Sequence, residues 1–311
     1  MKNMPHLFGP VLSRRLGRSL GLDLVPRKVC NMDCLYCEVG RTTVYTSERK
    51  PYIALDIIKA SIEQAKEMED VYDVLTITGS GEPTLNIYFE EAVELARSTV
   101  SKPVAVLTNS TLVYVSSIQE ALAKVNFVLA SLDSAREKSF RLVNRPVREV
   151  GLKLIVEGLR ALREKMKGEL WLEILFVKGI NDSPEDVSAL KSAIEYIKPH
   201  RVQLNTVVRP PAYPMAKPLS FEEMEAIKHK LSEKAEIISS PNTTTLAKRP
   251  LPFAELSEWL INYLARRPAN IEELTHVFGE EKEIILEALK FLEEEGRVKK
   301  VFHEGAVYFR A

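Results

Sequence analysis

Six short apolar runs, residues 19–25, 73–78, 103–108, 127–132, 171–177 and 201–206, set what this chain of 311 residues can fold into. Longer amphipathic stretches such as 55–68, 87–100 and 149–167 alternate with them. Runs of that length read as buried strands, and the stretches between them as helices. Repeated βα units predict an α/β fold, a parallel sheet with helices outside. In such folds the chemistry gathers where the strands end.

The cysteines point to one such strand end. Cys30, Cys34 and Cys37 are the only three in the chain, and all lie within Val29-Cys30-Asn31-Met32-Asp33-Cys34-Leu35-Tyr36-Cys37. Three thiolates on one short loop suit three irons of a [4Fe–4S] cluster and leave the fourth iron without a protein ligand. A structural zinc ion wants four ligands, and none of the five histidines stands at a matching spacing. Disulfides are disfavoured by the odd number. Residues 1–10 lack the apolar core of a secretory signal, so the thiols are expected in a reducing cytoplasm.

With this spacing the chain resembles the radical S-adenosylmethionine (SAM) superfamily. The resemblance implies a partial (β/α)6 barrel with the cluster loop after the first strand, and SAM chelating the free iron. It also implies an oxygen-sensitive enzyme. A ferredoxin or flavodoxin-type donor would reduce the cluster, and the 5′-deoxyadenosyl radical would abstract hydrogen from a substrate in the barrel mouth.

Other strand ends extend the resemblance. Gly79-Ser80-Gly81-Glu82-Pro83 is similar to the superfamily's Gly-Gly-Glu-Pro motif, Ser80 being the departure. Its glycines would let the backbone approach a ligand, and Glu82 would receive the SAM ammonium. Asn109, Ser131 and Asp133 are the expected contacts for the ribose and methionine carboxylate, although Asp133 or Ser134 could equally cap the following helix. Tyr36 is expected to stack on adenine. Residues 177–182 resemble the region that meets adenine, without its full motif.

Substrate contacts are expected from Gln203 and Asn205, which share one strand face, and from Arg209, Arg145 and Glu173. A guanidinium at a barrel mouth suits an anion. With every cysteine used, auxiliary-cluster and methyl-carrying-cysteine subclasses are not expected. Residues 8–21 and Gly40-Arg41-Thr42-Thr43 resemble a group of single-cluster Fe–S oxidoreductases related to wyosine-type tRNA-modifying enzymes. That second alternative would have Arg14, Arg15 and Arg18 touching RNA phosphates or lining the barrel base.

Lys plus Arg equals Asp plus Glu at 43 each, so no global field advertises nucleic acid. No apolar run approaches the roughly 20 residues of a membrane span. Only three glutamines occur, a thermophile-like bias. The barrel is expected over 1–236, a linker over 237–253, and a small unit resembling a winged helix over 254–311. Its third helix carries an excess of glutamates over lysines, which disfavours DNA and favours a protein or peptide partner or a cover for the barrel. The non-enzymatic alternative is an Fe–S sensor using that unit to bind nucleic acid or a partner.

Overall fold

Along the first parallel strand Ser19 and Asp23 alternate with Leu20, Leu22 and Leu24, a period of two that gives the sheet one polar and one apolar face. The computed structural model describes residues 6–13, 15–238 and 252–311. Eight strands make the main sheet: β1 Leu7–Ser13, β2 Gly17–Asp23, β3 Val74–Thr78, β4 Val104–Thr108, β5 Phe127–Ser131, β6 Glu169–Phe176, β7 Arg201–Thr206 and β8 Ala235–Ile237. Their order across the sheet is their order along the chain. β2 to β8 run parallel, and β1 pairs antiparallel with β2.

All six apolar runs are therefore strands of an open, partial barrel. The sheet is wider than the sequence indicates, because β1 and β8 flank the six. β1 hides its periodicity behind a register shift between Phe8 and Val11, where Gly9 and Pro10 interrupt the pattern.

Helices α1 Leu55–Glu67, α2 Phe89–Thr99, α3 Ser116–Leu122, α4 Glu137–Val143, α5 Leu152–Lys165, α6 Pro184–Ile197 and α7 Phe221–Leu231 connect the strands. Their apolar faces and the outward strand residues form one large core that includes Leu22, Ile58, Ile77, Phe89, Leu159 and Leu204. A smaller apolar group, Leu16, Val74, Ala105, Leu129 and Trp171, plugs the amino ends of the strands.

Beyond 239–251, which lie outside the described residues together with most of the expected linker, α8 Phe253–Leu264, α9 Ile271–Phe278 and α10 Lys282–Glu294 precede a hairpin. Its strands, β9 Lys299–His303 and β10 Ala306–Arg310, turn through Glu304 and Gly305, both at positive φ as a two-residue hairpin turn requires. This unit has its own core around Leu256, Leu260, Leu274, Ile285, Leu289 and Phe309. Among the described residues no helix is long and apolar enough to cross a membrane.

Candidate active site

The cysteine loop leaves the end of β2 and is held by backbone bonds to two neighbours. Lys28 N donates to Ser80 O at 2.8 Å, and Glu82 N to Val29 O at 3.1 Å. On its far side Leu35 N donates to Val143 O at 2.9 Å. Gly81 is required by this contact, since a Cβ there would lie 1.8 Å from Val29 O. The glycine thus lets the two loops pack closely.

Each cysteine sulfur receives one side-chain N–H. Lys28 Nζ lies 3.2 Å from Cys37 Sγ, Asn109 Nδ2 3.6 Å from Cys30 Sγ, and Asn144 Nδ2 3.6 Å from Cys34 Sγ. Lys28 is buried and holds φ at 61°, a left-handed conformation that costs a non-glycine residue about 1–2 kcal/mol. Burial pushes the Cys30 thiol up to about 12 and raises Cys34 well above its usual range. Burial opposes the Lys28 charge, but Cys37 and Cys30 outweigh it and raise Lys28 above its ordinary value.

This donor set fits a cluster bound through three corners: soft ligands, with hydrogen bonds to each sulfur to offset thiolate charge. Among the described residues no group of three His, Cys, Asp or Glu side chains is gathered for a single metal ion. A cube spreads its thiolates over separate irons, so the arrangement suits it better than one zinc ion.

Two of the residues expected at SAM, Glu82 and Asp133, are bonded to neighbouring strand ends. Glu82 is buried, and its Oε1 accepts from Thr84 N at 3.2 Å, Thr84 Oγ1 at 2.6 Å and Thr108 Oγ1 at 2.8 Å, while Oε2 accepts from Asn109 N at 2.7 Å. Burial nevertheless raises its pKa. Through these bonds Glu82 ties the end of β3 to the end of β4. Asp133 likewise accepts from Tyr36 Oη at 2.5 Å, Leu175 N at 2.8 Å and Asn144 Nδ2. It does not cap α4, whose N-cap is Arg136. Burial pushes Asp133 up to about 6.

Ser80 Oγ donates to Asp23 at 3.2 Å, Pro83 starts a short 3-10 turn, and Ser131 is half-buried at the tip of β5. Tyr36 anchors its hydroxyl on Asp133 and packs its ring beside Leu35, Val143 and Val177.

The substrate candidates separate. Glu173 faces the lumen with Arg15, whose Nη1 lies 2.6 Å from Glu173 Oε2 but off the hydrogen-bond axis. Gln203 spends its amide on Glu236 at 2.9 Å, and Asn205 is buried near the carboxyl end of β7. Arg145 stands away from the lumen on the outside of the cysteine loop, stacked 4.5 Å over Tyr213 and 3.7 Å from Asp33. Arg209 is buried between Glu38, 3.4 Å away, and Glu273 of α9, 3.1 Å away. Of the three amino-terminal arginines, Arg15 points inward, Arg18 is held by Asp73 at 2.7 Å, and Arg14 lies outside the described residues.

The carboxy-terminal unit seats across these strand ends. Arg266 binds Asp23 at 2.8 Å and stacks 4.3 Å over Phe8, Arg310 donates to Glu38 O and Pro210 O, and Tyr308 Oη donates to Val208 O. Lys28, Asn144, Arg266 and Arg267 carried no motif in the sequence. Only their positions in the fold bring them to the site.

A family model described as the Radical SAM superfamily matches residues 24–190, more than half of the chain, and the chain belongs to that superfamily. The family uses a [4Fe–4S] cluster and S-adenosylmethionine. Over nearly its whole length the chain is similar to UPF0026 protein MJ1312 of Methanocaldococcus jannaschii, at 32% identity, covering 98% of this chain and 96% of that one. It is 33% identical to a protein named GTPase Obg from Brachyspira hyodysenteriae over 98% of this chain but 45% of that one, so it spans less than half of that relative. A radical SAM methyltransferase from Sphaerobacter thermophilus shares the fold, with a TM-score of 0.51, 18% identity, and coverage of 70% of this chain and 66% of that one.

Proposed function

We propose that this chain is a radical SAM enzyme in which Cys30, Cys34 and Cys37 hold the cluster, SAM occupies the remaining iron, and a substrate sits in the barrel lumen. When bound, cluster and SAM supply one-electron cleavage of SAM to methionine and a 5′-deoxyadenosyl radical that abstracts hydrogen. The chain's own residues do the positioning. Lys28, Asn109 and Asn144 fix the three sulfurs, Glu82 and Asp133 lock the surrounding strand ends, and the 79–83 turn, Tyr36 and Ser131 are the groups proposed to border SAM. A ferredoxin or flavodoxin-type protein is the proposed electron donor. The carboxy-terminal unit, proposed to be winged-helix-like, covers the mouth and limits access of water.

The observation that carries this reading is the one N–H donor supplied to each of the three sulfurs. Hydrolysis of GTP is not carried over from the longer relative, because this sequence holds no Gly-x-x-x-x-Gly-Lys-Ser/Thr phosphate loop. Anaerobic reconstitution tests the proposal. One [4Fe–4S] cluster per chain and 5′-deoxyadenosine release from SAM under dithionite are expected, and Cys34→Ala should lose both. A fully loaded cluster that cleaves no SAM under any reductant would refute it.

A further inference from the structure

A cavity of about 270 Å³ lies where the lumen meets the carboxy-terminal unit. Its floor is polar, formed by Ser19, Thr76 and Thr78 on the inner strand faces, with Ser19 Oγ and Thr76 Oγ1 2.7 Å apart. Its charged lining is lopsided: Arg15, Arg209, Arg266 and Arg267 against Asp23 and Glu38. The other two carboxylates nearby do not line it. Glu173 stands behind Arg15, and Glu273 stands behind both Arg209 and Arg267, at 3.1 Å from each. Carboxylates so placed hold and orient the guanidiniums at the cavity wall. Two buried guanidinium nitrogens, Arg209 Nε and Arg267 Nε, have no hydrogen-bond acceptor, while Arg15 Nη1 has only its ion pair with Glu173 at 2.6 Å. Buried donors of charged groups are costly to leave unpaired, and a planar fork matches a carboxylate or phosphate.

We infer that this cavity binds the carboxylate or phosphate group of an anionic substrate, and that Arg266 and Arg267 of the carboxy-terminal unit complete a site begun by Arg15 and Arg209 of the barrel. The inference rests on the enzymatic reading above and names its substrate class. It also makes the carboxy-terminal unit part of the substrate site, since the barrel alone supplies half of the guanidiniums.

The test uses reconstituted, SAM-saturated full-length protein titrated calorimetrically at constant ionic strength, once with inorganic phosphate and once with succinate. Saturable binding of at least one is expected, weakened tenfold or more in Arg267→Gln and in Arg209→Gln. Arg267→Lys, which keeps the charge without the fork, should fall between, and the surface variant Lys124→Gln should match the parent. Unchanged circular dichroism and SAM affinity certify that the variants are folded. Stronger binding of phosphate assigns a phosphorylated substrate, and stronger binding of succinate a carboxylated one. Absence of binding for both, or arginine variants that bind like the parent, overturns the inference. Anion binding without any SAM cleavage would keep the cavity assignment and sink the enzymatic reading, so the two fail separately.

Discussion

Lys28 Nζ lies 3.2 Å from Cys37 Sγ, and it is the one ammonium among the three side-chain donors to the cysteine sulfurs. Positive charge and hydrogen bonds at the sulfurs of a cluster favour its reduced form. A hydrogen bond to a charged group is worth about 1.5–3 kcal/mol, and about 1.4 kcal/mol is 59 mV for one electron. Lys28→Met should therefore lower the midpoint potential of the reconstituted cluster by about 60 mV or more. Redox titration followed by electron paramagnetic resonance reads this directly, and an unmoved potential would remove Lys28 from the cluster's surroundings.

Gly81→Ala should loosen the cysteine loop. The added methyl meets the Val29 carbonyl at 1.8 Å, and backbone must shift to admit it. Overpacking of this kind costs about 1–3 kcal/mol. Urea unfolding of the cluster-free protein should register the loss, and iron retained after gel filtration should fall with it. An alanine variant as stable as the parent would mean that the two loops do not touch as described.

Glu82→Gln keeps shape but changes donors. Four donors converge on the carboxylate, so an amide must turn its NH2 toward Asn109 N or toward Thr84 and Thr108. At least one buried N–H or hydroxyl then loses its acceptor, at about 1–3 kcal/mol. A lower denaturation midpoint with SAM affinity reduced only in proportion to loop disorder is expected. Abolished SAM binding in a fully stable Glu82→Gln protein would assign Glu82 the ammonium-binding role expected from the sequence.

His200 gives the fold an acid-sensitive joint. Its Nδ1 accepts from Leu170 N at 2.9 Å, and burial, aided by Arg163, lowers its pKa. The folded state thus prefers neutral imidazole, and the unfolded chain binds the extra proton first. The His200 contribution is complete above pH 6.5 and is lost as pH falls through the lowered folded value. Urea midpoints of the parent should drop from pH 7.5 to 5.5 more steeply than those of His200→Asn.

The sheet was legible because six strands are apolar runs bounded by helices, and period and length suffice for such elements. β1 escaped because Gly9 and Pro10 break its alternation, and β8 because three residues carry no period. At the site, the cysteines and the Gly79–Pro83 turn announced themselves by spacing. The partners of Glu82 and Asp133 did not. A carboxylate's partners are not written in its own letter: those of Glu82 come from Thr84, Thr108 and Asn109, the last two from another strand end. Arg145 and Arg209 each stand in a loop beside a proline. One ends outside on Tyr213 and the other inside against Glu273, a difference set by a second unit more than 60 residues further along.

Because the strands lie across the sheet in the order in which they are made, synthesis from the amino end lays the barrel down edge by edge, each strand meeting a neighbour already present. The unit bearing Arg266 and Arg267 is made after the barrel and seats on its mouth. A nascent chain therefore passes through a stage with the cysteine loop anchored and the doorway still uncovered.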